Sequence, residues 1–217
     1  MLNAGLILVM SGESDTIIDD IQFIKEYINT SSADFKGIII NKVKDIEDFN
    51  IQFGNTLKDT GIRLLGIIPF RSELTFSNIS FLAEKLFAKV LAGENGIKNI
   101  VKNIFVGAMS TQESLRNPLF NKENKLLITS GDRSDMIISA LDDKTAGIIL
   151  TNNILPPPNI ISIADEKNIP LLAVKMDTYH VAQIMDDIVP LLAKDDSQNI
   201  AILKELAEKF LDYKNIL

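Results

Sequence analysis

The chain has no cysteine, so disulfides, thiolate nucleophiles and most structural zinc sites are excluded at once. Its single histidine, His180, rules out a histidine-rich metal site and leaves no serine a choice of imidazole for triad chemistry. Long hydrophobic runs are missing as well. The apolar run near the start, Leu6 to Met10, is far below the roughly 20 residues that span a bilayer. No basic leader accompanies it, so neither a signal peptide nor a membrane partner is expected, and the chain reads as cytoplasmic. Nor is there an excess of positive charge. With a formal net charge of −7 and a pI near 4.8, a phosphate backbone is repelled at long range, and nucleic acid is not an expected partner.

What is present is a chain of 217 residues, 46% apolar, enough for one large α/β domain or two small ones with real cores. Short β-rich apolar runs alternate with segments of helical period throughout, the pattern of βαβ units and parallel sheets. Strands are expected at Gly5–Met10, Lys36–Asn41, Arg63–Ile68, Asn103–Ala108, Lys125–Thr129, Ala146–Leu150 and Pro170–Val174. Each is apolar on both faces, as a strand covered by helices must be. Ile17, Ile18, Ile21, Ile24 and Ile28 repeat at helical spacing behind Ser14 and Asp15, either of which can cap that helix. The glycine-marked stretch Ala92–Ile97, after a helix expected to end near Val90, is taken as the domain break. The fold class is therefore α/β, two consecutive parallel-sheet three-layer units over residues 1–95 and 98–195, closed by a packing helix over 196–217 with Ile200, Leu203, Leu206, Ala207 and Phe210 on one face.

In the first unit, Lys36-Gly-Ile-Ile-Ile-Asn-Lys42 places Asn41 and Lys42 at the carboxyl edge of a strand, where parallel sheets put their ligand sites, and a second strand exits through Gly66-Ile-Ile-Pro69-Phe70-Arg71. Asn41 either closes a turn through its own side chain or contacts a ligand base; Pro69 punctuates a turn or borders that ligand, and Lys42 and Arg71 read as solvated charges. With Val9-Met-Ser-Gly12 and Asp15-Thr-Ile-Ile, these segments resemble the later half of the dethiobiotin-synthetase-like P-loop domain, and the resemblance implies base-side positions for Asn41 and the Ile68–Phe70 loop. The GxxxxGK[ST] nest and lysine that hold phosphates do not occur. The first strand is one that such a domain enters only after its P-loop, so ATP hydrolysis by this half is not expected.

The second half carries Leu127-Ile-Thr-Ser-Gly131-Asp-Arg-Ser-Asp135, Ala146-Gly-Ile-Ile-Leu-Thr151, Asn168-Ile-Pro-Leu-Leu-Ala-Val and Asp177-Thr178. These resemble the DRTGG domain, and the order of the two halves resembles the non-catalytic N-terminal part of phosphotransacetylase. Where the family has Thr-Gly-Gly, this chain has Thr151-Asn152-Asn153. Asparagine tolerates the left-handed conformation but adds a side chain, so a pocket there is narrower or gone. Gly131–Asp135 is a strand-to-helix turn in which Asp132 or Ser134 can cap the helix. Arg133 either pairs with Asp132, Asp135 or Asp177 or receives an anion with the exposed N–H groups. Thr151, Asp177 and Thr178 end neighbouring strands and are expected along the same sheet edge.

His180 reads as a packed or capping residue at a helix start. The pairs Asp19-Asp20, Asp142-Asp143, Asp186-Asp187 and Asp195-Asp196 read as solvated faces and caps, since adjacent helical residues diverge by about 100°. Pro156–Pro158 stiffens a loop and starts a helix. The expectation is a non-enzyme with no resident cofactor: a regulatory, self-associating module, a homodimer or higher oligomer, binding a nucleotide or other anionic metabolite and serving an enzyme of acetyl- or acyl-phosphate metabolism. The alternatives are a degenerate nucleotide-binding enzyme of the dethiobiotin synthetase or cobyrinic acid diamide synthase type, and a purely structural dimerisation protein. In either case the uncharged strand Gly5–Met10 is expected to leave an open sheet edge.

Overall fold

The computed structural model describes residues 5–12, 16–29, 34–190, 192 and 196–212. They form two compact units, one from residues 1–74 with 191–217, the other from residues 75–190.

In the first unit β1 (Gly5–Ser11), β2 (Asp34–Val43) and β3 (Leu64–Pro69) form a parallel sheet in that order. The crossovers are α1 (Thr16–Asn29) and α2 (Ile46–Asp59). Ile17, Ile18 and Ile21 of α1 and Phe49 and Leu57 of α2 bury against Ile38, Ile40 and Val43, so the first three residues of the isoleucine stripe form one side of this core. Asp45 caps α2 by accepting the Asp48 N–H at 2.9 Å. The caps expected for α1 at Ser14 and Asp15 lie outside the described residues.

The second unit holds α3 (Ile79–Lys85), β5 (Lys89–Ala92), β7 (Asn103–Val106), α4 (Thr111–Arg116), β8 (Lys125–Ser130), α5 (Ser134–Ala140), β9 (Thr145–Thr151), α6 (Pro158–Glu166), β10 (Leu171–Ala173) and α7 (Thr178–Asp187). A small antiparallel pair, β4 (Ser77–Asn78) with β6 (Ile100–Val101), lies beside them. The five-stranded sheet runs β5-β10-β9-β8-β7, parallel except for β5. Its centre, Leu126 to Ile128 and Ile148 to Leu150, is fully buried, which explains strands without polar alternation. Pro158 opens α6 at its first turn, as the proline run leads one to expect.

Two expectations are corrected. The segment expected to be helical up to Val90 ends its helix at Lys85 and continues as strand β5, antiparallel to β10. The break expected at Ala92–Ile97 therefore falls inside the second unit. Ile79, Leu82 and Leu86 pack among Leu126, Ile128, Ala146 and Val181, which commits residues 75–97 to that core. The closing helix, α8 (Ser197–Phe210), belongs to the first unit, where it contacts β3 and buries Leu206. Ile200 and Leu203 of the same stripe stay 39% exposed.

Candidate functional site

The ends of β8, β9 and β10 are neighbours in the second sheet, so Gly131, Asp132, Arg133, Thr151, Asn152, Asp177 and Thr178 gather along one carboxyl edge. In the first unit Asn41 lies in β2, two residues before its end, and Pro69 ends β3, with Asn41 opposite Ile68 and Pro69 opposite Val43. The candidates thus form two separate groups.

In the first group, the Asn41 side-chain oxygen accepts the N–H of Lys42, which sits at φ 65°. Both residues lie inside β2, where its register with β3 shifts between Asn41 and Val43, so the Asn41 side chain holds a bulge within the strand and closes no turn. Arg71 is not a lone solvated charge: its guanidinium donates to Glu73 at 3.0 Å, and that contact holds the Glu73 carboxyl down to about 2.

In the second group the turn differs from expectation. Neither Asp132 nor Ser134 caps α5 through its side chain; Arg133 takes the cap position with no side-chain cap bond, and the Asp132 carbonyl accepts the Ser134 N–H. The Arg133 guanidinium lies 3.8 Å from Asp135 and makes its hydrogen bonds to main-chain oxygens, 3.1 Å to Gly107 and 2.9 Å to Met109. It fastens the loop between β7 and α4. A second tie on the same helices, from the Thr111 hydroxyl to the Asp135 carboxylate, lowers the Asp135 pKa. Both ties cross more than 20 residues and leave no local spacing signal in the sequence.

Thr151 is fully buried, its hydroxyl 3.0 Å from that of Thr178 and 3.4 Å from the Thr129 carbonyl. Asn152 and Asn153 both adopt the left-handed conformation, φ 60° and 53°. Their N–H groups donate to Met176 and Val174. The backbone that glycine pairs would supply is therefore kept, with two exposed amide side chains added. The Thr129 hydroxyl, buried near Gly107, has no hydrogen-bond partner among the described residues. At the opposite, amino edge of the sheet a hollow of about 550 Å3 is lined by Asn95, Asn99, Asp143, Lys167 and Asn168, none of them a residue singled out for ligand contact.

His180 proves to be part of a cap. Asp177 accepts the His180 backbone N–H at 2.9 Å, and its second oxygen lies 2.9 Å from Nδ1. The N–H bond first, then the imidazole, lowers the Asp177 pKa below the ordinary aspartate value. A carboxylate with a depressed folded pKa contributes stability that is complete above its unfolded pKa and lost as pH falls through the folded one. The start of α7 should therefore loosen only below about pH 4. Carboxyl titration by NMR should show Asp177 with a midpoint below the value of about 3.9 for an unperturbed aspartate; a midpoint at or above it would refute the cap.

Among the described residues no three His, Cys, Asp or Glu gather as metal ligands, and no helix is long and apolar enough to cross a membrane.

Comparison with known proteins matches residues 81–188 to the DRTGG domain. The chain is 27% identical over 231 aligned residues to the phosphate acetyltransferase of Synechocystis sp., covering 100% of this chain and 33% of that protein. It is 25% identical over 237 residues to the phosphate acetyltransferase of Pseudomonas aeruginosa, with coverage of 98% and 33%. It thus spans about a third of the length of these relatives. Among solved structures it is similar to the CBS and DRTGG domains of the regulatory region of Clostridium perfringens pyrophosphatase, complexed with the activator diadenosine tetraphosphate, with 18% identity, a TM-score of 0.46, and coverage of 94% of this chain and 86% of that one.

Proposed function

We propose that this DRTGG-domain protein is a non-catalytic regulatory module that senses a nucleotide or other anionic metabolite, self-associates, and serves an enzyme of acetyl- or acyl-phosphate metabolism. The observation that carries the reading is the carboxyl edge of the five-stranded sheet. There a partly exposed guanidinium, two left-handed asparagines, the α7 cap Asp177 and a buried Thr129 hydroxyl with no partner among the described residues converge on the ends of adjacent strands. Arg133 spends two N–H groups on carbonyls, which fix its plane and leave others to meet an anion. Such an edge can bind, but nothing in it transfers a group. The sequence has no GxxxxGK[ST] loop, and its one imidazole is committed to a helix cap. The shared segment with phosphate acetyltransferases supports the class of the partner enzyme.

A thermal-shift screen of the full chain with AMP, ADP, ATP, coenzyme A and acetyl phosphate tests this. A ligand at about 100 times its Kd stabilises the folded state by about 2.7 kcal/mol, so at least one should raise Tm by several degrees. Arg133→Ala should shrink that shift far more than Lys42→Ala, each measured from its own unliganded Tm. No shift with any compound, or equal shifts in both variants, would overturn the assignment, as would sustained ATP hydrolysis or acetyl transfer abolished by Arg133→Ala.

A further inference from the structure

The two outer edges of the three-stranded sheet are treated differently. Along β3 the chain covers its own edge: Leu211 bridges Gly66, and the Asp212 N–H donates to Leu65. Gly66 permits this approach, since a Cβ there would lie 2.2 Å from the Phe210 carbonyl oxygen. Along β1 the described residues provide no strand other than β2. β1 is seven residues long and has neither charge nor proline nor an inward-pointing polar side chain, and the one irregularity of its ladder, between Leu6 and Ile7, puts the extra residue on β2, so the usual devices that keep edges from pairing are missing from the strand itself. The second sheet's edge strands are shorter, four residues each, and begin at Lys89 and Asn103. Val9 is 60% and Leu6 40% exposed on this strand.

The geometry points to a homodimer formed by antiparallel pairing of β1 with β1 of a second copy, joining two three-stranded sheets into one across a two-fold axis; it rests on the self-association in the reading above. The strand's own sequence selects a like partner. With the axis at Leu8, Ile7 faces Val9 of the other copy, Leu6 faces Met10 and Gly5 faces Ser11, so branched meets branched, large apolar meets large apolar and small meets small. A seven-residue antiparallel pair adds about six to eight main-chain hydrogen bonds. The contact is isologous, which closes the assembly at two copies. A neutral edge also suits a chain of net charge −7, because two copies meeting anywhere acidic would repel.

Light scattering coupled to size exclusion on the full chain should give about 48 kDa, twice 24.1 kDa, at micromolar concentrations. Val9→Lys, at a position already 60% exposed, should return the mass to 24.1 kDa. In a chain with no native cysteine, Leu8→Cys should oxidise to a disulfide-linked dimer on the axis, whereas Ile51→Cys, 81% exposed on α2, should not. A wild-type monomer across the micromolar range would overturn the pairing. So would a dimer that survives Val9→Lys, or a Leu8→Cys chain that cross-links no faster than Ile51→Cys. A monomer that still melts higher with a nucleotide would sink this interface and leave the ligand-sensing reading intact.

Discussion

Asp142→Ala should destabilise the second unit by about 3 kcal/mol, lowering its Tm by about 10 °C or more. Lys125 opens β8 with a side chain that has no solvent exposure. Its ammonium donates to both Asp142 oxygens, at 2.8 and 2.9 Å, and lies 4.9 Å from the centre of the Phe120 ring. Removing the carboxylate leaves a buried ammonium without either of its acceptors, and takes one from the Lys144 N–H. The reciprocal change is milder. Asp142 is 39% exposed, so in Lys125→Met the carboxylate is hydrated and the methionine fills the stem's volume, at a cost of about 1 kcal/mol. Denaturant unfolding of both variants measures the asymmetry. Equal losses, or an Asp142→Ala loss under about 1 kcal/mol, would show that the pair is not buried in solution.

The strands were legible from the sequence because their burial is symmetric: a run such as Leu126–Ile128 is apolar on both faces, and only a sheet with helices on each side hides both. The left-handed pair at Asn152 and Asn153 was legible for a different reason, since asparagine is the non-glycine residue that best tolerates that backbone. Residues 75–97 misled because their pairing is distant. Lys89-Val-Leu-Ala92 has no strand alternation of its own, and becomes a strand through β10, about 80 residues further along. Arg133 shows where site reading stops. Its position at the turn was evident, but the Gly107 and Met109 carbonyls it holds are backbone atoms, and any residue type there would serve. Asp142 was misread for want of its partner: as one half of Asp142-Asp143 it looked like solvated surface, and only the fold carries Lys125 to it.

Gly131→Ala should be the most damaging single-methyl change along the candidate edge, about 3 kcal/mol, because the obstacle is backbone. A Cβ at residue 131 would lie 1.8 Å from the Ile154 carbonyl oxygen and 2.5 Å from its carbon. No rotamer relieves such a contact, so the Ile154–Leu155 chain or the Gly131–Arg133 turn must move by more than an ångström. Either movement disturbs the residues proposed to meet the ligand, since one carries Asn152 and Asn153 and the other carries Arg133. Gly107→Ala is the control. The nearest atoms there are side chains, Leu127 at 3.2 Å, Thr129 at 3.3 Å and Met136 at 3.4 Å, which can yield by a few tenths of an ångström. It should cost under about 1 kcal/mol. Amide exchange adds a spatial readout: Gly131→Ala should speed exchange at Asn152 and Asn153, whose N–H groups bond to Met176 and Val174, while Leu126–Ile128 at the centre of β8 keep their protection relative to global stability. If Gly131→Ala melts with the wild type and leaves those two amides protected, the two loops do not cross closely in solution, and the carboxyl edge is open there.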